Sequence, residues 1–429
     1  MLVQTTQKID LIQSFVAKKY RNTQSFATKA SYENALKRFY EFLNNEKGID
    51  ISEAIILLEE KKLDSIQLLD DYYTNLRNTR FGKKQKQYSN ASIRTYLTAA
   101  KEFLRFLGFK AYNEDIKQVF TLPPIQDNSE PGLTKETLVR LLRNSPSKLQ
   151  VAILVSCASG VRDGELVQLK VVDIDFQTNP VTINLRAEIV KGKIHPRKTH
   201  LTKEAANALK DYLIKTGLDL NDPNHQNNYI FLTSPQERIE YYKEKVIDLD
   251  LTIRQNPNDA IKFKTARTTY LHKISQLENQ IASMTEKEQY DRSVRSSKHA
   301  LITMLSRVVD SIPDLATRHE NDMRDIHFHS FRYFFKTMVT DAVNSDFAEA
   351  LMGHKSLKLT YYKKNDEQRR KSYLKAEPAL TISDYTAIEA ELEKTQEKQK
   401  EIEETYYKFK QILKQKDPSF EEFVHLISK

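Results

Sequence analysis

The 429-residue sequence contains one cysteine, no tryptophan, nine glycines and twelve prolines. The single cysteine, Cys157, excludes an internal disulfide and a zinc site built from cysteines. So few glycines and prolines exclude collagen-like and linker-dominated chains. No apolar run reaches the roughly 18 residues that a membrane-spanning helix needs, and the first residues lack the pattern of a signal peptide. We therefore expect a cytoplasmic protein with no membrane partner.

The apolar and charged residues indicate a folded, basic protein. Hydrophobic residues make up 39% of the chain and charged residues 29%, which is enough apolar material for cores and excludes wholesale disorder. At roughly 150 residues per domain, the length predicts two or three domains. Lys and Arg number 67 and Asp and Glu 58, so the formal net charge is +9. This balance favours a polyanionic partner, most simply nucleic acid.

Residues 1–112 are predicted to form a small all-helical domain. Thr28 or Ser31 is suited to cap one amphipathic helix, and Ser89 a second one that ends before Gly108. Residues 113–132 contain three prolines among polar residues, which predicts an extended linker.

Residues 133–382 are predicted to form a second domain with both helices and strands. A helix begins at Thr134, and the apolar run 151–158 indicates a buried helix. Residues 171–189 then alternate between apolar and polar residues, and turns at 179–180 and 191–193 precede residues 200–202, which predicts a small antiparallel sheet. The fold class is therefore mainly α with a small antiparallel β-sheet.

Two further segments show heptad-like spacing. Within residues 236–300, apolar residues recur every three or four positions on both sides of a turn at 256–259, which predicts an antiparallel helical hairpin. Residues 383–429 form a tail with similar spacing, which predicts a coiled-coil-like helix. The insert is either an arm for a partner or a tolerated insertion. The tail either joins protomers or packs on its own chain.

Arginine, histidine, lysine and tyrosine residues suggest phosphate chemistry. His329 and Arg332 lie one turn apart on an apolar helix, and His354 follows them in a Met-Gly-His-Lys segment. Far upstream of these residues, Arg162 comes shortly after the apolar run 151–158. Lys191 lies in a predicted turn between the two regions. Two arginines can bind the non-bridging oxygens of a phosphodiester, and histidines can donate hydrogen bonds and exchange protons.

A tyrosine and the absence of a metal-binding pattern complete this interpretation. Tyr361 or Tyr362 could attack phosphorus, because nearby cations favour the phenolate. His327, His329 and His354 lack the cysteine or carboxylate partners of a metal site. The residues therefore predict metal-free phosphoryl transfer through a phosphotyrosine, with no cofactor.

Three segments resemble the motifs of the tyrosine recombinase, or phage integrase, family. Gly160–Leu166 resembles its first arginine box, His329–Arg332 its His-x-x-Arg box, and Met352–Lys355 its Leu-Gly-His segment. Tyr361 and Tyr362 lie where the family has its nucleophile, and Val190–Lys193 resembles the turn that carries its catalytic lysine. Tyr361–Lys363 and Pro378–Ile382 look most similar to archaeal integrases.

The resemblance implies a role for each matching residue. Arg162 and Arg332 would bind the scissile phosphate, and Glu165 would support Arg162. His329 and His354 would donate hydrogen bonds and assist proton transfer. Lys191, with Lys193 as its competitor, would protonate the leaving 5′ oxygen. Tyr361, with Tyr362 as the alternative, would form a 3′-phosphotyrosyl link.

The resemblance also implies a two-domain DNA clamp and an assembly. Residues 1–112 would be a SAM-like core-binding domain, and residues 133–382 an α+β catalytic domain. Five cations are candidate phosphate contacts, although each is about as well explained as a solvated side chain: Lys83, Lys84, Lys86, Arg94 and Lys101. The partner would be double-stranded DNA at a specific attachment site, bound by a homotetramer when two sites are synapsed and by a monomer or dimer when the protein is free.

The predicted function is therefore a site-specific DNA recombinase of a mobile element, which cleaves and rejoins DNA without metal or ATP. A type IB topoisomerase or telomere resolvase uses similar groups and is one alternative. A catalytically silent, sequence-specific DNA-binding accessory protein is the second. A coiled-coil scaffold is the third, but it leaves the three motifs unexplained.

Overall fold

The computed structural model describes residues 2–23, 25–82, 85–110, 112–124, 132–190, 195–255, 260–318, 324–354, 365–383, 398–400, 402–405 and 407. The chain divides into two compact units, residues 1–130 and 131–429. The division falls within the predicted linker 113–132. Helices dominate both units, and the described strands form two small antiparallel sheets, so the predicted fold class is confirmed.

The N-terminal unit consists of six described helices around one apolar core. They are α1 (Leu2–Thr23), α2 (Phe26–Glu46), α3 (Ile51–Glu59), α4 (Ser65–Asn78), α5 (Asn90–Phe106) and α6 (Asn113–Val119). Their inward faces bury aromatic and aliphatic side chains, including Phe39, Tyr72 and Phe103. Each of these rings has at most 2% of its surface exposed, so the helices hold one another through a continuous core.

The starts of these helices test the predicted capping residues. Ser89 caps α5 by accepting the backbone N–H of Ser92, as predicted, and Gly108 follows the helix with a φ of 96°. The cap of α2 is Ser25, which accepts the backbone N–H of Thr28 at 3.2 Å. The prediction of Thr28 or Ser31 is therefore wrong: a suitable hydroxyl lies earlier, and the helix extends back to it.

Two features of the N-terminal unit differ from the prediction. A short antiparallel hairpin joins β1 (Arg80–Phe81) to β2 (Lys86–Gln87), so the unit is not entirely helical. The first part of the predicted extended linker 113–132 is the helix α6, because its buried Ile116 packs into the core of the unit.

The C-terminal unit has ten described helices and one three-stranded sheet. The helices are α7 (Lys135–Arg143), α8 (Ser147–Ser159), α9 (Asp163–Leu166), α10 (Lys203–Lys215), α11 (Pro235–Gln255), α12 (Ala260–Ala282), α13 (Glu286–Ser311), α14 (Phe328–Ala342), α15 (Ser345–Met352) and α16 (Asp366–Leu380). The strands β3 (Ile174–Asp175), β4 (Thr182–Leu185) and β5 (Arg197–His200) pair antiparallel in that order, as predicted.

Helix α8 lies at the centre of the C-terminal unit. Every residue from Val151 to Ser159 is buried, and α8 packs against α10, α14 and α16. Gly160 ends the helix with a φ of 62°, and a Cβ added there would lie 2.4 Å from the ring of Phe335. Only glycine therefore permits both this turn and the close approach of α14. The turn brings Arg162 to the end of the buried helix.

The predicted helical hairpin is also present. Ile239 and Val246 of α11 pack against Ile274 of α12, with partly buried tyrosines and aliphatic residues around them. Its predicted turn, residues 256–259, lies outside the described residues. The next helix, α13, continues past the predicted end of the insert at residue 300 and buries Leu301 and Leu305 in the main core.

Most of the predicted C-terminal tail, residues 383–429, lies outside the described residues. The described positions beyond residue 383, which are 398–400, 402–405 and 407, are helical. The coiled-coil-like helix over the whole tail stays a prediction. Among the helices that the structure describes, none has the length and apolar character needed to cross a membrane.

Candidate active site

Arg162 and Glu165 are held together at the start of the short helix α9. The backbone N–H of Arg162 donates to Glu165 Oε2 at 2.9 Å, and its Nη1 donates to Oε1 at 3.0 Å. Glu165 is 2% exposed, whereas the side chain of Arg162 is 23% exposed. The carboxylate therefore orients a guanidinium that still reaches solvent.

Arg197, at the start of β5, is a second cation on the same carboxylate. Its Nη2 donates to Glu165 Oε2, and its Nη1 donates to the backbone carbonyl of Leu351 at the end of α15. The side chain is only 8% exposed. Burial lowers the pKa of Arg197, while the neighbouring Glu165 charge opposes that shift.

Arg332 lies on the buried side of α14 and links two turns. Its Nη1 donates to the carbonyl of Gly160, and its Nη2 donates to the carbonyl of Met352 at 2.8 Å. Gly160 is two residues before Arg162, and Met352 is two residues before His354. A single buried guanidinium therefore fixes the two segments that carry these residues.

His354 lies between Arg332 and a carboxylate. Its Nε2 is 2.9 Å from Nη2 of Arg332, and its Nδ1 forms a hydrogen bond with Glu349. Lys336 also contacts Glu349, at 2.7 Å. Because Nδ1 faces a carboxylate and Nε2 faces a donor, the network favours the tautomer with the proton on Nδ1.

The pKa values of this site are shifted by burial and by neighbouring charges. Burial, and then the charges of Arg162 and Arg197, lower the pKa of Arg332 to about 9. Burial also lowers the pKa of His354, although its hydrogen bond to Glu349 opposes the shift. For Glu349 the hydrogen bonds from Lys336 and His354 overcome burial and lower its pKa. Cations held this close form a positive site, and a bound anion would relieve their mutual repulsion.

His329 is on the exposed side of the same helix. Its ring lies edge-on against Tyr333, with ring centroids 4.7 Å apart. Burial, and then the charge of Arg332, lower the pKa of His329. The charges of Arg162 and Asp163 also act on His329, so it belongs to the same electrostatic neighbourhood. We call Arg162, Arg332 and His354 the arginine–histidine cluster, because Arg332 contacts His354 directly and the carbonyl of Gly160, two residues before Arg162.

Three predicted catalytic residues lie outside the described residues: Lys191, Tyr361 and Tyr362. The same holds for Lys193, the competitor of Lys191. Their predicted roles therefore remain predictions. The structure brings together Arg162, Glu165, Arg332 and His354, with His329 nearby.

The predicted DNA-contacting cations have different surroundings. Lys83 and Lys84 lie outside the described residues, and Lys86 is on β2. Arg94 donates to the carbonyl of Pro123 at 2.7 Å, and Lys101 donates to Asn113 Oδ1 at 2.8 Å. Arg94 and Lys101 thus help to hold the segment that follows α5, a structural role that sequence reasoning did not assign.

Other features of the site were also missed from the sequence. Sequence reasoning assigned no role to Arg197, Glu349 or Lys336, nor to the 2.9 Å ion pair of Lys298 with Asp163. A carboxylate five residues before His354 was the available signal for Glu349. Within the described part of the chain, no group of three or more His, Cys, Asp and Glu residues is placed to hold a metal ion.

Comparison with known proteins finds a family match for part of the chain. The model of the Phage integrase family matches residues 132–282, an interval that contains Arg162, Glu165 and Arg197. Arg332 and His354 lie beyond the matched interval. The search of curated proteins found no match.

Several solved structures are similar at low identity. The Tn1549 transposon integrase in complex with transposon right end DNA is 14% identical, with 84% of this chain and 97% of that chain covered and a TM-score of 0.47. A lambda integrase dimer bound to a COC′ core site is 12% identical, with coverage of 84% and 77% and a TM-score of 0.46. XerA recombinase is 18% identical, with coverage of 86% and 98% and a TM-score of 0.33.

Proposed function

We propose that this protein is a site-specific DNA recombinase that cleaves and rejoins strands through a 3′-phosphotyrosyl intermediate, and the match of residues 132–282 to the model of the Phage integrase family supports this. The observation that carries the proposal is the arginine–histidine cluster. Buried contacts from three separate parts of the chain converge on it, and it presents positive charge to an anion.

The two arginines of the cluster stabilise the charge of the reacting phosphate. Arg162 is partly exposed and oriented by Glu165, so its free N–H groups are available to a non-bridging oxygen. Arg332 is nearly buried, and its pKa of about 9 still leaves it protonated at neutral pH. Preorganised cations of this kind bind the pentavalent transition state more tightly than the ground state.

His354 supplies a hydrogen bond to the phosphate and assists proton transfer. In the free protein its Nε2 accepts from Arg332, and its Nδ1 faces Glu349. A phosphate oxygen that draws Arg332 towards itself leaves Nε2 free. Protonation of Nε2 then gives a donor to the phosphate, while Glu349 stabilises the imidazolium from the other side. His329 acts as a second donor from the exposed side of α14.

The remaining steps depend on residues outside the described part of the chain. Tyr361, or alternatively Tyr362, attacks phosphorus as its phenol gives its proton to the neutral imidazole of His329 or His354, and the bond from phosphorus to the 5′ oxygen breaks. Lys191, or alternatively Lys193, gives that oxygen its proton. The phosphotyrosyl bond conserves the energy of the broken bond, so the 5′ hydroxyl of a partner strand reverses the attack without ATP.

The proposal extends to the partners and to the N-terminal unit. Double-stranded DNA at a specific attachment site is the substrate, and four protomers complete the exchange. The N-terminal unit binds the duplex, and Lys83, Lys84 and Lys86 contact its phosphates. Such contacts make affinity strongly salt-dependent.

Covalent trapping tests this function. The substrate is a pool of duplexes with a randomised central segment and a nick, so that the short 5′-hydroxyl fragment leaves after cleavage and the reaction cannot reverse. The wild type is compared with Tyr361→Phe and Tyr362→Phe, and Tyr241→Phe, an exposed tyrosine of α11, is the matched control. We expect a denaturant-resistant adduct that Tyr241→Phe retains and that one of the other two variants abolishes.

The other outcomes discriminate among the alternatives. Tight, salt-sensitive binding without an adduct would overturn the enzyme assignment and favour the silent DNA-binding protein. Relaxation of a supercoiled plasmid that needs no partner site, lost in the same tyrosine variant, would favour the topoisomerase. The absence of any DNA binding would favour the scaffold.

A further inference from the structure

The buried cation Arg197 touches both segments that carry the predicted phosphate-binding residues. It meets Glu165, which orients Arg162, and it meets the carbonyl of Leu351, three residues before His354. These partners are 32 and 154 positions away in the sequence. We propose that Arg197 is a positioning residue, which fixes Arg162 and His354 relative to each other. This inference rests on the proposed function.

The carboxylate of Glu165 accepts hydrogen bonds from two arginines. Oε1 accepts from Arg162, and Oε2 accepts from both the backbone N–H of Arg162 and the side chain of Arg197. Arg162 must also turn towards a phosphate during the reaction. With Arg197 in place, the buried carboxylate keeps a permanent cation, so Arg162 can engage the substrate without leaving Glu165 unpaired.

The other end of Arg197 is held equally closely. A Cβ added to Gly353 would lie 2.6 Å from Cδ of Arg197, so the side chain runs directly against the turn before His354. Gly353 has a φ of 70° and ends α15. Glycine is thus required both for the turn and for the passage of the arginine side chain. Arg197 therefore fixes this turn through packing as well as through its hydrogen bond.

The charge of Arg197 is already paired with the carboxylate of Glu165, whereas the guanidinium of Arg332 contacts two carbonyls and an imidazole, so we do not assign Arg197 as a phosphate ligand itself. Its side chain is 8% exposed, compared with 23% for Arg162, and two of its nitrogens already bind protein oxygens. Its charge nevertheless reaches the site, because it is among the causes of the lowered pKa of Arg332. Arg197 thus acts on the substrate through Arg162, Arg332 and His354.

The chain offers a matched control for this arginine. Arg186 also pairs with a buried carboxylate, Asp173, and also donates to a backbone carbonyl, that of Gln168. Replacing either arginine by methionine removes a charge from a buried carboxylate, although Arg186 is 25% exposed and also pairs with Glu188, whereas Arg197 is 8% exposed. A purely structural role for Arg197 predicts that the two variants behave alike.

The experiment measures DNA affinity and single-turnover adduct formation separately, on the duplex selected by covalent trapping. We expect Arg197→Met to slow adduct formation about 10- to 100-fold, the usual effect of removing a group that orients an active-site ligand. Its DNA affinity and the adduct rate of Arg186→Met should stay within about twofold of wild type. Arg197→Lys keeps the charge but cannot make both contacts, so its rate should be intermediate.

A second substrate distinguishes a positioning role of Arg197 from a general loss of folded structure in the variant. A methylphosphonate linkage, in which a methyl group replaces one non-bridging oxygen, is neutral and depends less on cations. If Arg197 acts through the two phosphate-binding arginines, the penalty of Arg197→Met should shrink on this substrate. An equal penalty on both substrates, or equal penalties for Arg197→Met and Arg186→Met, would overturn the proposal.

Failure of the proposed function would be visible separately, since the wild type would then form no adduct. Orthovanadate binding to the free protein, measured by calorimetry, tests the positioning claim in that case. Binding by the wild type that Arg197→Met weakens and Arg186→Met preserves would support it. Binding unchanged in Arg197→Met, or no binding by the wild type, would overturn it. Arg197→Lys supplies the same tests if Arg197→Met does not fold.

Discussion

The core around α8 and the α11–α12 hairpin are both helical, but their contacts have very different ranges. In the core, Arg332 donates to the carbonyl of Gly160, which is 172 positions away. The hydroxyl of Tyr373 donates to the backbone carbonyl of Ala158, which is 215 positions away. In the hairpin, two neighbouring helices share three buried side chains, and the ion pair of Arg267 with Asp250 is more than a third exposed.

This difference shows where the molecule can tolerate change. A side chain held by distant parts of the chain is placed correctly only when the whole unit is folded. The hairpin depends on contacts between adjacent helices and can open without disturbing the rest. The arginine–histidine cluster is attached to the first kind of structure, which suits a site that must be rigid before its substrate arrives.

The largest expected effect comes from a core aromatic residue. Phe335 is fully buried in α14 and lies against Gly160. Phe335→Ala should lower the free energy of unfolding of the C-terminal unit by about 3–5 kcal/mol, because it leaves a cavity at the end of α8. Denaturant unfolding measures this loss, and hydrogen exchange in α8 reports it locally. Phe81→Ala, at a ring 42% exposed on β1, is the control, and a similar loss there would contradict the expectation.

A smaller effect depends on pH and also belongs to the core. His200 is 3% exposed, and burial, followed by the charge of Arg370, lowers its pKa from 6.5 to about 4. The unfolded chain therefore takes up a proton as pH falls below 6.5, while the folded chain stays neutral at this residue. Stability should drop by about 1.4 kcal/mol per pH unit, or about 3 kcal/mol by pH 4.

Unfolding measurements between pH 7 and 4 test this, with His200→Gln as the variant. The variant should lose this part of the pH dependence, whereas His272→Gln, at an exposed position of the hairpin, should keep it. An unchanged slope in His200→Gln would show that other groups cause the loss.

The smallest effect should be confined to the hairpin. Ile274 is 8% exposed in a cluster with only two other buried side chains. Ile274→Ala should cost about 2 kcal/mol, the lower end for such a truncation, since few neighbours surround it. Hydrogen exchange should quicken in α11 and α12 but not in α8. Leu271→Ala, 40% exposed on the same helix, is the control. Equal quickening in α8 would make hairpin and core one cooperative unit.

Structural features that depend on a few neighbouring residues could be predicted from the sequence. The buried run of α8, the strand alternation, the hairpin spacing and the Ser89 cap each depend on a few neighbouring residues, and the structure contains all four. Arg162, Arg332 and His354 were recognised because each lies in a local motif. The structure then brings them together.

The remaining features depend on contacts between distant residues. Arg197 gave no local signal, because its role comes from Glu165 and Leu351, which only the folded chain brings to β5. Glu349 became informative once α15 placed it beside both His354 and Lys336. Helix α6 replaced a predicted extended stretch since Ile116 could be buried there, and local proline content does not show that.

The buried Cys157 on α8 has a practical consequence for fluorescence work. It is the only cysteine in the sequence, it is fully buried, and burial raises the pKa of its thiol. Such a thiol is a poor nucleophile towards maleimide dyes. A cysteine introduced at an exposed position, such as Ile247 on α11, would therefore be labelled selectively in the otherwise natural chain. With a second exposed cysteine, such as one at Leu271 on α12, a donor and an acceptor dye could report on the hairpin by single-molecule energy transfer without first removing native thiols.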